Sequence, residues 1–255
     1  MAAAMVEGVI AKGAYLPAQI ACMGGKGLTG PALAKRTGIR LASSLDDLLS
    51  GSDTLVVAFK PQHLASADPR LAELTAGRLV ISVLAGKKLD ALSRCFPKAR
   101  GVIRSMPNTP GQIGAGLTGW CADKAPSPSD RVVLDKVFGA LGASVEVPEA
   151  QMDALTAISG AGPAYLFEFA AALRDAGLSQ GFDPKTAKLL AVETVLGAAR
   201  LLARRDVDPE ILRAEVTSPN GVTAAGLRRM ADRDFRGIVK ETVAAARARS
   251  EELSA

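Results

Sequence analysis

The sequence is poor in the residues on which metal sites, hydrolytic triads and disulfide-rich modules depend. Its one histidine, His63, excludes a His-rich metal site within one chain and would have to serve any Ser-His-Asp triad alone. Its three cysteines, Cys22, Cys95 and Cys121, are scattered without a CxxC spacing. That pattern argues against a zinc ribbon and a disulfide framework, and it favours a reducing compartment such as the cytoplasm. We therefore predict a cytoplasmic protein with no metal site.

Aromatic residues make up only 4% of the 255 residues, although 48% of the chain is hydrophobic. Lysines and arginines are dispersed, apart from the pairs Arg204-Arg205 and Arg228-Arg229, so the basic stripe with aromatic partners that nucleic acids need is missing. No apolar run reaches the roughly 18 residues of a membrane-spanning helix. We predict no nucleic-acid or membrane partner, and the net charge of +5 suits a small anionic ligand or a phosphate-bearing cofactor.

Residues 1–149 alternate between helix and strand patterns, which is typical of a parallel sheet covered by helices on both faces. The strands are short, apolar runs that end at Gly or Pro. We predict strands at 18–23, 54–59, 79–84, 101–106 and 144–147. We predict helices at 1–12, 31–37, 45–49 and 130–141.

Residues 150–255 carry almost no strand pattern and form a second predicted domain. The predicted helices are 151–158, 163–176, 184–205, 223–230 and 235–253. Asp183 and Asp208 each precede a proline, as an N-cap residue does at the start of a helix. Small and apolar residues surround the 184–205 helix, so it must be buried on several sides, which predicts a helical domain where two chains interleave.

Polar and turn residues follow three consecutive predicted strands, at 60–63, 85–88 and 105–110. Ligands of open α/β sheets bind beyond the carboxyl ends of the strands. Pro, Gly and Asn are also ordinary turn residues, so one such loop would carry little weight. Three loops in register favour a ligand cleft.

A further polar loop, Ser218 to Thr223, directly precedes a predicted helix. Backbone N–H groups at a helix N-terminus attract carboxylates and phosphates. An ordinary capped turn uses the same residue types and stays the alternative.

Four segments resemble the pyrroline-5-carboxylate reductase family, in the family's order and spacing: AFKPQ (58–62), SMPNTP (105–110), SGAGPAY (159–165) and TSPNGVTAAGL (217–227). The resemblance implies an N-terminal Rossmann-like, doubly wound domain (1–149) and a C-terminal helical domain for dimerisation and substrate binding (150–255). It also implies reduction of 1-pyrroline-5-carboxylate to L-proline with a nicotinamide cofactor, the last step of proline biosynthesis, by a homodimer or a higher homo-oligomer.

The resemblance places several residues at the cofactor. The strand-end segment along the ribose and nicotinamide matches Ala58, Phe59, Lys60 and Pro61. Ala85 matches a residue beside the cofactor near the substrate, and Asn108 matches the turn that borders the nicotinamide. Ser44 or Leu45 stands where the family often has an Asn that touches the cofactor.

The resemblance also assigns the polar loop to the substrate. The family loop whose amides receive the substrate carboxylate matches Ser218, Asn220, Gly221 and Val222, and Asn220 replaces the family's usual Gly, which implies a stiffer loop. Thr223 matches the threonine whose hydroxyl meets the ring nitrogen. Because a protonated imine is already electrophilic, this catalytic residue would act as a hydrogen-bond partner and not as a strong acid. The alternative for Thr223, a helix cap, is compatible with this role.

The segment after the predicted strand at 18–23, which is the second strand of the family's fold, indicates cofactor preference. NAD enzymes carry an acid there for the ribose 2′-hydroxyl. Here the segment contains Gly24, Gly25 and Lys26 and no acid. A neighbouring lysine suits a 2′-phosphate, so we predict NADP(H) as the preferred cofactor and NAD(H) as a second one.

In the family, a first strand and a Gly-rich loop precede the segment that matches Met1 to Met5. The resemblance therefore implies a Rossmann domain that lacks both elements in this sequence. Three explanations are open. The two favoured ones are a segment that precedes Met1 in the full protein and a start site annotated too late. The third is a true short form with impaired catalysis.

Two other functions stay open at this stage. A related imine or hydroxyacid reductase would normally offer a catalytic lysine in the first long helix of the second domain, and residues 164–176 contain none. A non-catalytic oligomeric remnant, lacking the cofactor grip, is the other alternative.

Overall fold

The computed structural model describes residues 1–25 and 27–254. The chain forms two compact units, one made of residues 1–161 with 246–254 and the other of Gly162–Ala245. The last turns of the C-terminal helix therefore belong to the first unit. The domain boundary at 149/150 stays a prediction.

The first unit alternates helices and strands, as predicted. Its helices are α1 (Ala2–Ala11), α2 (Thr29–Thr37), α3 (Leu45–Leu49), α4 (Leu71–Leu74), α5 (Leu89–Cys95), α6 (Pro128–Gly139) and α7 (Met152–Leu155), which continues into a π-helix at Thr156–Gly160. Its strands are β1 (Ala21–Cys22), β2 (Arg40–Leu41), β3 (Thr54–Val57), β4 (Leu79–Ser82), β5 (Gly101–Pro107), β6 (Gly116–Ala122) and β7 (Gly142–Glu146). Short 3-10 turns occupy Pro17–Gln19, Pro61–His63, Thr109–Ile113 and Glu149–Gln151.

The strands form a sheet of order β3-β4-β5-β6-β7 and a separate parallel pair, β1-β2. Strands β3, β4 and β5 are parallel and in register, since Val57 pairs with Ser82 and Ser82 with Arg104. The β6-β7 pair is also parallel, but β5 and β6 run antiparallel. The α/β, Rossmann-like class is confirmed, and the antiparallel β5-β6 pair is a departure from the parallel sheet that the apolar runs predict.

Helices cover both faces of this sheet, as the continuous apolar runs predict. All four residues of β4 are buried. Val80 and Val102 pack on one face of the sheet with Leu92 and Phe96. Ile81 packs on the opposite face. The opposite face is completed by Ala4, Met5, Leu79, Ile103, Trp120, Leu134, Val137, Phe138 and Leu141.

Several element predictions in this unit need correction, and β2, α4 and α5 were not predicted. The predicted strand at 18–23 shrinks to Ala21–Cys22, because Pro17 starts a 3-10 turn that occupies the preceding residues. Strand β6 was missed, since its two glycines and its threonine interrupt the apolar pattern. The helix predicted at 151–158 is a short α-helix that widens into the π-helix.

The second unit is helical, as predicted, with α8 (Gly162–Ser179), α9 (Pro184–Arg205), α10 (Pro209–Glu215), α11 (Val222–Asp232) and most of α12 (Phe235–Ser254). Asp183 caps α9 by accepting hydrogen bonds from the N–H groups of Lys185 and Thr186. Asp208 occupies the N-cap position of α10, but its side chain makes no capping bond. A Cβ on Gly177 would lie 3.2 Å from Ala187 Cβ, so α8 and α9 meet through small residues.

In α9 only Ala187 and Ala191 are buried among the described residues of a single chain. Large apolar side chains on α8 and α9 stay exposed, among them Phe167 and Leu189 at 68% and 59%. Surfaces of this kind mark protein interfaces in soluble proteins. Among the described residues, none of the helices combines the length and apolar character needed to cross a bilayer.

Candidate active site

The carboxyl ends of β3, β4 and β5 lie at one edge of the sheet because the three strands are parallel and in register. Ala58 to Pro61 follow β3, Ala85 follows β4 and Asn108 follows β5. The structure therefore places the cofactor residues predicted in these three loops at one edge, where ligands of such sheets bind.

The segment after β3 leaves the sheet in extended conformation. Lys60 has φ −70° and ψ 137°, and Pro61 then starts the 3-10 turn. Phe59 is 38% exposed and Lys60 is exposed, so an aromatic face and a positive charge are both available to a ligand.

Ala85 is exposed in the turn after β4, beside Gly86. Gly86 has φ +70°, a left-handed backbone that side-chain-bearing residues rarely adopt. A Cβ on Gly86 would lie 3.0 Å from the carbonyl oxygen of Leu253, so the end of α12 packs against this turn.

Asn108 makes hydrogen bonds within the protein with both ends of its amide. Its Nδ2 donates to the carbonyl oxygen and to the hydroxyl of Ser159, both at 3.2 Å, and its Oδ1 accepts from the N–H of Leu117 at 2.9 Å. The predicted contact of Asn108 with the nicotinamide thus involves a side chain already held by the protein. Sequence reasoning missed this partnership with Ser159, although the SMPNTP and SGAGPAY segments contain both residues.

Gly24 and Gly25 lie exposed after β1, and Lys26 falls outside the described residues. A Cβ on Gly24 would lie 3.3 Å from Gly30 Cα, and one on Gly30 would lie 3.1 Å from Gly24 N. Gly24 and Gly30 let the turn pack closely on α2. Gly24 thus has a packing role beside its predicted cofactor role.

The loop Ser218 to Thr223 forms a tight turn at the start of α11. The N–H of Gly221 donates to the carbonyl of Ser218 at 3.1 Å, and Asn220 has φ +56°. Asn is among the few residues that tolerate this left-handed conformation, so it can stand where the family has Gly. A Cβ on Gly221 would lie 2.3 Å from the Ser218 hydroxyl, so the turn needs a glycine here or a shift of that hydroxyl.

The first N–H groups of α11 are free to receive an anion, and the predicted contact with the substrate carboxylate stays a prediction. Gly221 is the N-cap residue, and no side chain caps the helix. The N–H groups of Val222 and Thr223 have no acceptor among the described residues, whereas that of Gly221 is used in the turn. Val222 and Thr223 are exposed, and the Thr223 hydroxyl makes no hydrogen bond within the described chain. The helix-cap alternative for Thr223 is wrong.

The cysteines do not offer reactive thiolates. Burial raises the pKa of the Cys22 thiol, which lies beside the turn that carries Gly24. Burial, with a smaller effect of Glu149, raises the pKa of Cys121 to about 12. All three cysteines are free thiols.

Comparison with known proteins shows the family to which the chain belongs. Residues 149–253 match the family model "Pyrroline-5-carboxylate reductase dimerisation", and residues 1–86 match "NADP oxidoreductase coenzyme F420-dependent". The chain is 39% identical to pyrroline-5-carboxylate reductase of Synechocystis, with 99% of this chain and 94% of that protein covered. It is 34% identical to the Methanosarcina acetivorans enzyme at the same coverage.

Solved structures show the same relationship. The pyrroline-5-carboxylate reductase from Coxiella burnetii matches with a TM-score of 0.94 and 30% identity, over 100% of this chain and 95% of that one. The Plasmodium falciparum pyrroline carboxylate reductase with NADP bound matches with a TM-score of 0.84 and 27% identity, over 99% and 94%. This chain therefore belongs to the pyrroline-5-carboxylate reductase family.

Proposed function

We propose that this protein reduces 1-pyrroline-5-carboxylate to L-proline with NADPH, the last step of proline biosynthesis. The relatives that cover nearly the whole chain are pyrroline-5-carboxylate reductases. The observation that carries the proposal is the loop before α11, where uncapped N–H groups can receive a carboxylate.

The strand-end loops fit a dinucleotide. Exposed Phe59, Lys60 and Ala85 follow neighbouring parallel strands, and Gly24 and Gly25 expose backbone where no acid stands. A structure of the Plasmodium falciparum relative contains NADP. When bound, NADPH supplies the hydride that adds to the C=N carbon of the substrate.

This chain contributes alignment and charge complementarity to the reaction. In the proposal, the Val222 and Thr223 N–H groups hold the substrate carboxylate, assisted by Ser218, Asn220 and Gly221 in shaping the turn. The Thr223 hydroxyl hydrogen-bonds the ring nitrogen as the imine becomes an amine. Ala58 to Pro61, Ala85 and Asn108 border the cofactor, with Gly24, Gly25 and Lys26 toward its ribose. Such alignment can supply much of the rate enhancement.

The protein works as a homo-oligomer, since residues 149–253 match a dimerisation domain. The exposed apolar side chains of α8 and α9 provide surface for this assembly. We place it in the cytoplasm, which the three free thiols support.

The test follows the NADPH absorbance in three assays: oxidation of NADPH by 1-pyrroline-5-carboxylate, oxidation of NADPH by the cyclic imine 1-pyrroline without a carboxylate, and reduction of NADP⁺ by a 3-hydroxyacid. The proposal expects turnover of the first, with kcat/KM for 1-pyrroline about 100-fold lower. Equal use of both imines would refute the carboxylate site. No turnover by the folded oligomer would favour the non-catalytic remnant, and oxidation of the hydroxyacid would favour the related reductase.

A further inference from the structure

A buried ionic network lies beneath the turn that follows β4. Arg104, on strand β5, is only 4% exposed. Its guanidinium donates to Glu149 Oε1 at 3.0 Å and lies 3.4 Å from Asp153 Oδ1. A buried charge of this kind must be paired and hydrogen-bonded, so its partners are held in fixed positions.

Glu149 extends this network to one end of the turn. The same Oε1 atom that accepts from Arg104 accepts from the N–H of Leu89 at 2.6 Å. Leu89 is the first residue of α5, which begins where the turn ends. The position of Arg104 thus fixes where residues 85–88 join the helix.

Asp153 extends the network to the end of α12. Its Oδ1 accepts hydrogen bonds from the hydroxyls of Ser250 and Ser254, at 2.7 and 3.0 Å. Both serines are 8% exposed. The two bonds place the intervening residue, Leu253, with its carbonyl 3.0 Å from the position that a Cβ on Gly86 would take.

We infer that Arg104, Glu149, Asp153, Ser250 and Ser254 form a clamp that positions the turn 85–88 for cofactor binding. The turn is held from two sides, by Glu149 at Leu89 and by α12 at Gly86. None of the clamp residues needs to touch the cofactor, so these are positioning residues. This inference rests on the proposed function, in which Ala85 borders the cofactor.

The double variant Ser250→Ala/Ser254→Ala tests the clamp, because it frees the end of α12 and leaves the Arg104–Glu149 pair intact. Ser129→Ala/Ser144→Ala is the matched control: it also removes two hydroxyls, both from exposed positions outside the network. The measurements are amide hydrogen exchange at residues 85–88, the Kd for NADPH by fluorescence titration, and the KM for NADPH and kcat at saturating 1-pyrroline-5-carboxylate.

We expect the Ser250/Ser254 variant to exchange residues 85–88 about tenfold faster and to raise the Kd and KM for NADPH about fivefold, with kcat changed less than about twofold. The control should match the parent protein. Unchanged exchange at 85–88 in a folded variant would overturn the clamp. Faster exchange with an unchanged Kd for NADPH would overturn its role in cofactor binding.

Arg104→Lys provides a second variant, since it keeps the charge but cannot serve two carboxylates with the same fork. It should show the same pattern as the serine variant, with a larger rise in the Kd for NADPH. An Arg104→Lys protein with parental exchange and Kd would contradict the clamp. Hydrogen exchange needs no substrate, so failure of the clamp stays distinguishable from failure of the reductase activity.

Discussion

Asn108 binds Ser159 twice, with its amide nitrogen 3.2 Å from both the carbonyl oxygen and the hydroxyl of that residue. The same side chain accepts from the N–H of Leu117 at the start of β6. One amide thus joins the end of β5, the next strand and the π-helix Thr156–Gly160. π-Helical turns are frequent at functional sites, and this one lies beside a loop of the proposed cofactor edge.

Asn108→Ala should lower the free energy of unfolding by about 1–3 kcal/mol, because the partially buried groups of Leu117 and Ser159 lose their partner. Urea unfolding measures this change, and Gln62→Ala, at an exposed position near the same edge, is the control. Unchanged stability with a lower kcat/KM would mean that Asn108 acts on the cofactor alone.

Asn220→Gly should leave the KM for 1-pyrroline-5-carboxylate within about twofold of the parent, since both residues accept φ +56°. Asn220→Val should raise this KM about tenfold, because a β-branched residue is strained there by about 1–2 kcal/mol and the turn distorts. Steady-state kinetics distinguish the two variants. A valine variant with parental KM would show that the turn does not shape the carboxylate site.

Thr223→Ala should reduce kcat/KM about tenfold and leave the thermal midpoint unchanged, because the Thr223 hydroxyl is exposed and makes no bond within the described chain. Thr223→Ser should restore most of the activity. If the alanine variant were fully active, the hydroxyl would have no part in the reaction. If it were destabilised instead, the residue would have a structural role.

NADPH should give a higher kcat/KM than NADH, because no acid stands at Gly24 or Gly25 to bind a ribose 2′-hydroxyl. Gly25→Asp should lower kcat/KM for NADPH about tenfold or more and spare NADH, since a carboxylate repels the 2′-phosphate. Lys26→Gln should weaken NADPH alone. A parent protein that prefers NADH would contradict the cofactor assignment.

The Arg100–Asp130 pair should make stability depend on pH in acid. Burial opposes ionisation of Asp130, but hydrogen bonds from Arg100 and Ser127 prevail and hold its pKa below the usual value. A carboxylate with a lowered folded-state pKa stabilises the protein above its unfolded pKa, near 4, and this contribution is lost as the pH falls below that. Asp130→Asn should therefore cost about 1–3 kcal/mol at pH 7 and less at pH 3. An equal deficit at both pH values, in urea unfolding, would exclude this linkage.

The strands of the sheet were predictable where both faces of the strand are buried. The run around Val80 and Ile81 is apolar at every position because helices cover both faces, so its sequence alone marks a strand. Strand β6 was missed in part because of Gly119, which packs against Leu155. A Cβ on Gly119 would lie 2.1 Å from Leu155 Cδ1. A glycine that is required by packing against a distant residue cannot be told from a turn glycine in the sequence.

The sequence predicts the candidate site as segments, and those roles stay predictions; the contacts between atoms could not be predicted. The loop before α11 was recognised by its residue types, because a nest of N–H groups needs Gly, Ser and Asn. The engagement of the Gly221 amide in the turn and the Asn108–Ser159 bonds depend on three-dimensional closure. No local sequence pattern indicates the Gly221 hydrogen bond or the Asn108–Ser159 bonds. The buried pairing of Arg104 with Glu149 likewise joins residues 45 positions apart.

A carboxylate held at the start of α11 would be recognised by main-chain amides, which do not titrate in the range where proteins are folded. Its binding would then keep the same strength from weakly acidic to strongly alkaline solution. At saturating NADPH, a fall in substrate use with rising pH would then come from the imine losing its proton. Measured at saturating NADPH, the pH profile of kcat/KM would thus report the substrate's own chemistry, since the amide contact to its carboxylate does not change with pH.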